Sequence, residues 1–294
     1  MTTIQDLIEL QPEKEFFIGI DSDGCVFDSM ELKHKECFCP AFINHFNLQS
    51  VSRYAREAWE FVNLYSVDRG GNRFLTALKS LDLLRERVQV KKRGIKIIEL
   101  PVLKAWTEKE INLSNPKLKA EIDKTDDPEL MLVYQWSLDV NEAVAKISRG
   151  ILPFPYFSES LDKMTEAADI VVVSQTPSEA LLREWAELKI DKKARFIAGQ
   201  ETGSKSECIS LAAGKKYHKD KILMIGDALG DLKAANAINA LFYPIIPEKE
   251  DDSWDRFLNE AAGKFLNMNF RGAYQEALLS EFEKYLPKKA PWIV

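Results

Sequence analysis

Near its start the chain carries two carboxylates one residue apart, Asp21 and Asp23, with Gly24 directly after them. Two acids at this spacing suit paired work, one attacking as a nucleophile and the other moving a proton, if the backbone turns both to one side. The glycine lets the chain turn sharply away. The same residues also fit a simple turn, since Asp-Gly is common in turns. Whether other parts of the chain answer the pair decides between the two.

The run before the acids, Phe16-Phe17-Ile18-Gly19-Ile20, is apolar and too short for a helix. It predicts a strand buried on both faces, as in a parallel sheet. Ligands of such sheets collect at the carboxyl ends of the strands, which is where Asp21 and Asp23 stand. Three further runs share this texture: Ile170–Val173 ending in Ser174, Arg195–Ala198, and Ile222–Ile225 ending in Gly226-Asp227. A last strand is expected over Leu241–Ile246, at a sheet edge because of Pro244. Helices are expected between them. Two open on capping boxes, Thr176-Pro177-Ser178-Glu179 and Ser204-Lys205-Ser206-Glu207. Alternating strands and helices imply an α/β fold with a doubly wound parallel sheet.

Residues 30–150 have a different texture, with helical periodicity and little strand signal. Phe38, Phe42, His45 and Phe46 share one face, and Phe74, Leu78, Leu81 and Leu84 another. Asp127-Pro128-Glu129 is a helix start, and the apolar face after it is read as Met131, Tyr134, Leu138 to Val144 and Ile147. This stretch is expected to be an inserted, mainly helical cap domain, with 1–29 and 151–294 forming the core. Residues 1–15 read as a short amphipathic arm with Ile4, Leu7 and Ile8 on one side. Two amphipathic helices follow Asp251.

The chain has 294 residues, 46% hydrophobic and 29% charged, with a net charge of −6, as expected of a globular protein. The acidic balance argues against nucleic acid as a partner. No apolar run approaches the roughly 18 residues of a membrane span, and Met1–Leu10 has two acids and no base, unlike a signal peptide. A cytoplasmic location is expected, and the oligomeric state is open. Cys25, Cys37, Cys39 and Cys208 are not spaced as a disulfide framework. His34, Cys37, Cys39 and His45 cluster, but Cys-x-Cys is tighter than usual zinc spacing, and buried thiols on a helix are expected.

The stretch Asp21 to Ser29 resembles the first motif of the haloacid dehalogenase-like (HAD) hydrolases, Asp-x-Asp-Gly-x-x-x-Asp-Ser/Thr. Three later positions answer it in family order. Ser174 stands at a strand end, Lys205 before the fourth strand, and Gly226-Asp227-Ala228-Leu229-Gly230-Asp231 after it. The resemblance covers 16–29 and 151–246. It implies a Rossmann-like HAD core and a Mg2+-dependent phosphatase acting on a small phosphorylated metabolite through an aspartyl phosphate. By resemblance Asp21 is the nucleophile and Asp23 the general acid and base. Ser174, with Gln175 beside it, and Lys205 would hold the phosphoryl oxygens. Asp21, Asp227, Asp231 and the backbone carbonyl of Asp23 would hold the metal.

About 150 residues separate Asp23 from Ser174, and only about 20 separate Lys205 from Asp227. The insertion therefore follows the first motif, as in the phosphoglycolate phosphatase and beta-phosphoglucomutase branch. Such caps close over the site and select substrate. The loop Arg69 to Arg73 is a candidate substrate contact, its two guanidiniums suiting an anionic group; the alternative is a solvated charged loop. A phosphomutase or a phosphonatase would use the same core residues. A dehalogenase is disfavoured by the presence of Asp23, and a non-catalytic binder by the completeness of the acids.

Overall fold

The computed structural model describes residues 2–293. Five strands form one parallel sheet: β1 (Phe16–Ile20), β2 (Ala168–Val173), β3 (Phe196–Ala198), β4 (Ile222–Gly226) and β5 (Leu241–Pro244), in the order β3-β2-β1-β4-β5. Every residue of β1, β2, β4 and β5 is buried, which explains why these strands read as apolar runs, broken only by Asp169 near the start of β2, rather than as alternating ones. The proline-bearing strand lies at an edge. Helices Ser178–Glu187, Lys205–Ala213 and Leu229–Ala237 make the successive crossovers that parallel strands require. The fold is α/β and doubly wound.

In this order the chain leaves β1 in one direction, toward β2 and β3, and later returns on its other side with β4 and β5. The carboxyl ends of β1 and β4 therefore flank the point where strand order reverses, the crevice that binds ligands in open α/β sheets. Register keeps them level, with Ile20 opposite both Val172 and Ile225. The start of β1 is fixed from below by Asp169. Its buried carboxylate accepts from the Glu13 and Lys14 N–H groups (2.8 and 2.9 Å), from Tyr217 Oη (2.7 Å) and from Arg195 Nη1 (2.6 Å).

The chain divides into two compact units, Met1–Met30 with Arg149–Leu286 and Glu31–Ser148 with Pro287–Val294. The first is built on the sheet and shares one apolar core, which includes Ile18, Ile20, Phe157, Trp185, Tyr243, Trp254 and Phe257. The second is helical and packs around Phe42, Phe46, Trp59, Phe74, Trp106 and Trp136. Its helix near Pro40 widens over His34–Phe38, where the Cys39 N–H bonds back to the His34 carbonyl. Pro40 has no N–H to give to the Glu36 carbonyl, which favours the wider turn. The final residues join this unit. Ala290 is buried in its core, Trp292 meets Phe61 edge-on, and the Arg87 guanidinium lies 4.0 Å over the Trp292 ring.

Several local readings change. Helix Pro128–Ile147 does start on Asp127, which accepts from the Glu129 and Leu130 N–H groups. Its buried face, however, is Leu130, Val133, Trp136, Ser137 and Val140, while Met131, Leu138 and Ile147 are exposed. The segment carries two apolar stripes one residue apart, and the one that includes the Trp136 ring faces the core. Helix Ile4–Glu9 packs through Leu7, with Ile4 and Ile8 exposed. The four cysteines are free and buried. Among the described residues no helix is long and apolar enough to cross a membrane.

Candidate active site

Asp21 is the first residue past β1. Its N–H continues the ladder to the Ile225 carbonyl (3.0 Å), and its Oδ1 accepts from the Ser22 N–H (2.7 Å). Across the crevice, β4 ends in Gly226 and hands over to Asp227, with Asp231 in the first turn of helix Leu229–Ala237. One carboxylate oxygen from each of Asp21, Asp227 and Asp231 lies within 4.8 Å of the others, and all three residues are buried. Lys205 enters from the first residue of helix Lys205–Ala213, which opens on the capping box Ser204–Glu207. Its Nζ donates to Asp21 Oδ2 (2.5 Å) and to Asp231 Oδ1 (2.6 Å). Asp231 Oδ2 accepts from the Ala228 N–H (3.1 Å).

Three buried carboxylates thus face one ammonium. Like charges about 4 Å apart repel by about 4 kcal/mol at an effective dielectric of 20. Burial pushes the Asp21 carboxyl up to about 8, with Lys205 opposing and Asp231 and Asp227 adding to it. Asp231 is raised for the same reasons, burial first. Burial alone would pull Lys205 down, but Asp21 and Asp231 outweigh it and hold the ammonium firmly charged. The donor set fits a divalent cation. Hard carboxylate oxygens with no nitrogen or sulfur among them suit magnesium rather than zinc, and a second positive charge would offset the excess that Lys205 leaves.

Close approach of Asp231 depends on Gly226. A Cβ at that position would lie 2.3 Å from the Asp231 carboxyl carbon. Gly226→Ala is expected to cost about 1–3 kcal/mol through overpacking and to weaken binding of any divalent cation the cluster holds by displacing that carboxylate. Thermal unfolding and a calorimetric Mg2+ titration would check both.

Asp23 is held differently. Its Oδ2 accepts from Thr176 Oγ1 (2.6 Å) and its Oδ1 from Ser29 Oγ. Gly24 follows with φ of +74°, a left-handed turn suited to glycine. Thr176 lies just past β2, two residues after Ser174. The expected capping box at Thr176 does not form: the helix begins at Ser178 without a side-chain cap, because the Thr176 hydroxyl goes to Asp23 and the Ser178 hydroxyl to Glu201. Ser174 is buried at the end of β2, its N–H on the Ala198 carbonyl (3.0 Å) and its Oγ accepting from the Thr176 N–H (3.3 Å). Gln175 is exposed, with Nε2 3.5 Å from the Gly203 carbonyl.

Arg69 and Arg73 belong to the helical unit. Arg69 is buried and donates to the Leu64 carbonyl (2.9 Å). Arg73 donates from Nη1 to Ser137 Oγ (3.0 Å) and Asn141 Oδ1 (2.7 Å), and its guanidinium lies 4.9 Å from the centre of the Phe38 ring. Burial pulls its pKa down to about 10. The loop between them is therefore not a plain solvated one, since Arg69 is buried and the Arg73 guanidinium is held by Ser137 and Asn141.

Sequence reasoning did not find Thr176, or the two tryptophans beneath the first motif. The Trp185 Nε1 donates to Ser22 Oγ (3.1 Å) and the Trp254 Nε1 to the Cys25 carbonyl (2.8 Å).

No protein-family model and no curated protein sequence matches the chain. Among solved structures it is similar to a putative phosphoglycolate phosphatase from Lactobacillus delbrueckii subsp. bulgaricus, at 17% identity and a TM-score of 0.42, covering 78% of this chain and 85% of that one. It is also similar to a putative beta-phosphoglucomutase from Thermotoga maritima (15%, TM-score 0.39, 78% and 84%) and to a HAD-superfamily hydrolase from Ehrlichia chaffeensis (12%, TM-score 0.36, 80% and 89%). At identities and scores this low, the chemistry of the site has to come from the side chains of this chain.

Proposed function

We propose that this chain is a HAD-like phosphatase, a Mg2+-dependent enzyme that hydrolyses a small phosphorylated metabolite through an aspartyl phosphate. The observation that carries the reading is the buried cluster of Asp21, Asp227, Asp231 and Lys205 at the reversal point of a parallel sheet. A phosphate ester is anionic and resists water, so its hydrolysis needs charge compensation and a positioned nucleophile.

Asp21 attacks phosphorus through a carboxylate oxygen while the ester oxygen leaves, taking a proton from Asp23. Asp23, now a carboxylate, takes a proton from water as that water attacks the acyl phosphate. Phosphate leaves, and Asp21 is regenerated. The hydroxyls of Thr176 and Ser29 hold Asp23 in place for both proton transfers. Lys205 opposes the burial that favours the neutral Asp21 carboxyl and offsets charge on the phosphoryl oxygens, with Ser174 and Gln175 at the next strand end as further contacts. Bound through Asp21, Asp227, Asp231 and the Asp23 carbonyl, Mg2+ would supply Lewis-acid charge compensation. Arg69 and Arg73 are the proposed substrate contacts of the helical unit, which serves as the cap.

The test is phosphate release from an aryl phosphate and a panel of small phosphorylated metabolites. Release is expected with Mg2+, at least about a hundredfold less with a chelator present, and again when Mg2+ is returned. No release from any compound, or release indifferent to chelation, would remove this reading.

A further inference from the structure

The turn carrying Asp21 is a small hydrogen-bonded knot. The Ser22 carbonyl accepts from the N–H groups of Cys25 (3.4 Å), Val26 (2.8 Å) and Phe27 (3.1 Å), and the Gly24 N–H goes to the Phe27 carbonyl (2.9 Å). The Ser22 N–H in turn holds Asp21 Oδ1. Any shift of Cys25 therefore reaches the Asp21 carboxylate through Ser22. Cys25 is fully buried, and a buried carbonyl requires a donor. That donor is the indole N–H of Trp254, at 2.8 Å.

Trp254 comes from the C-terminal segment, which the first motif and its three answering positions do not include. It is held firmly there. Its helix, Glu250–Arg256, is pinned to the end of β5 through Ser253, whose carbonyl accepts from Tyr243 Oη (2.5 Å) and whose Oγ accepts from the Ile246 N–H (3.0 Å). Arg256 ties the same helix to Glu281 (2.6 Å). The Trp254 ring packs edge-on against Phe157 (5.0 Å), which meets Trp185 in the same way (6.1 Å). Trp185 is the residue that reaches Ser22 Oγ, so Phe157 joins two indoles that grip one turn at two points.

We infer that Trp254 is a positioning residue for Asp21, its indole N–H fixing the Cys25 carbonyl so that the turn presents the carboxylate in its attacking position. The inference rests on the reading of Asp21 as the nucleophile. It gives the C-terminal helices a part in the chemistry that packing alone would not require.

The test compares Trp254→Phe with Phe257→Leu. The first keeps an aromatic ring and removes the N–H. The second loosens the same cluster, where Phe257 packs on Trp254 (5.5 Å) and Tyr243 (5.0 Å), and keeps the indole N–H. For Trp254→Phe, kcat on an aryl phosphate is expected to fall about tenfold to a hundredfold with KM nearly unchanged. Amide hydrogen exchange is expected to speed up in the peptide spanning residues 21–29 and to stay the same in β2. Phe257→Leu should lower the melting temperature and leave kcat near that of the starting protein. If Trp254→Phe fails to fold, replacing Trp254 alone with its benzothiophene analogue, which keeps the ring shape and lacks the N–H, carries the same comparison. An unchanged kcat, unchanged exchange in the turn, or an equal loss of kcat in Phe257→Leu would overturn the inference. If the starting protein releases no phosphate at all, the proposed function falls, and the positioning role tied to its nucleophile falls with it; the exchange readout then reports separately whether the indole holds the turn.

Discussion

Asp21→Asn is expected to reduce phosphate release by about 10⁴-fold or more, the scale seen when a nucleophile is removed. The amide has almost the same shape, and its oxygen can still accept from the Ser22 N–H. It cannot attack phosphorus. The fold should tolerate the change, because losing the contact with Lys205 is offset by relief of repulsion from Asp227 and Asp231. We expect a stability change within about 1 kcal/mol, read by thermal unfolding beside the activity assay. Activity within tenfold of the starting protein, in a folded variant, would exclude Asp21 as the nucleophile.

Lys205→Met should do more to the fold. The ammonium is buried and bonded to two carboxylates, and methionine fills much of the same volume without charge. Removing one partner of a buried ion pair costs about 3–5 kcal/mol. The loss should depend on pH with a definite sign. Burial raises the Asp21 carboxyl in the folded state from 3.8 to about 8. Such a group contributes its full stability below the lower value and loses it as pH rises through the upper one. Lys205 opposes this in the native chain. Its own raised value makes a contribution that is fully present below the ordinary lysine range and is lost only above it, outside this window. Without Lys205 the Asp21 carboxyl rises further still, so the variant should approach normal stability near pH 4 and lose it as pH rises through about 8 and beyond. Mg2+ should raise its melting temperature more than that of the starting protein. Unfolding curves across pH, with chelator and with Mg2+, measure this; a pH-independent loss would mean that lost packing, not unpaired charge, is responsible.

The strands were legible because a strand covered on both faces is apolar at nearly every position, as β1 and β4 are and as β2 is from Ile170 to Val173. The acids were legible for a related reason. A charged residue directly after such a run, as at Asp21 and Asp227, stands at the mouth of the sheet by construction. Lys205 was less visible as a lysine than as part of a capping box, which fixed where its helix starts.

What failed to show was decided by contacts between distant residues. Thr176-Pro177-Ser178-Glu179 satisfies the local rule for a cap, yet the hydroxyl of Thr176 bonds to Asp23, 153 positions away. Trp254 reads as a core aromatic, and in part it is one, but its N–H meets a carbonyl 229 positions away, for which no local pattern exists. In helix Pro128–Ile147 two apolar stripes one residue apart both have helical spacing, so periodicity alone does not say which one turns inward.

The return of the last residues to the helical unit bears on how this protein can be taken apart. Segment 31–148 looks like an insert that could be excised or grafted onto another scaffold. Cut there, it would lack Ala290 from its interior and the Trp292 face that covers Arg87. The buried Arg87 side chain, whose Nε and Nη1 have no hydrogen-bond partner among the described residues, would be opened to water on that side. The transplantable piece is discontinuous in sequence, and a chimera would have to carry the chain's end along with its middle.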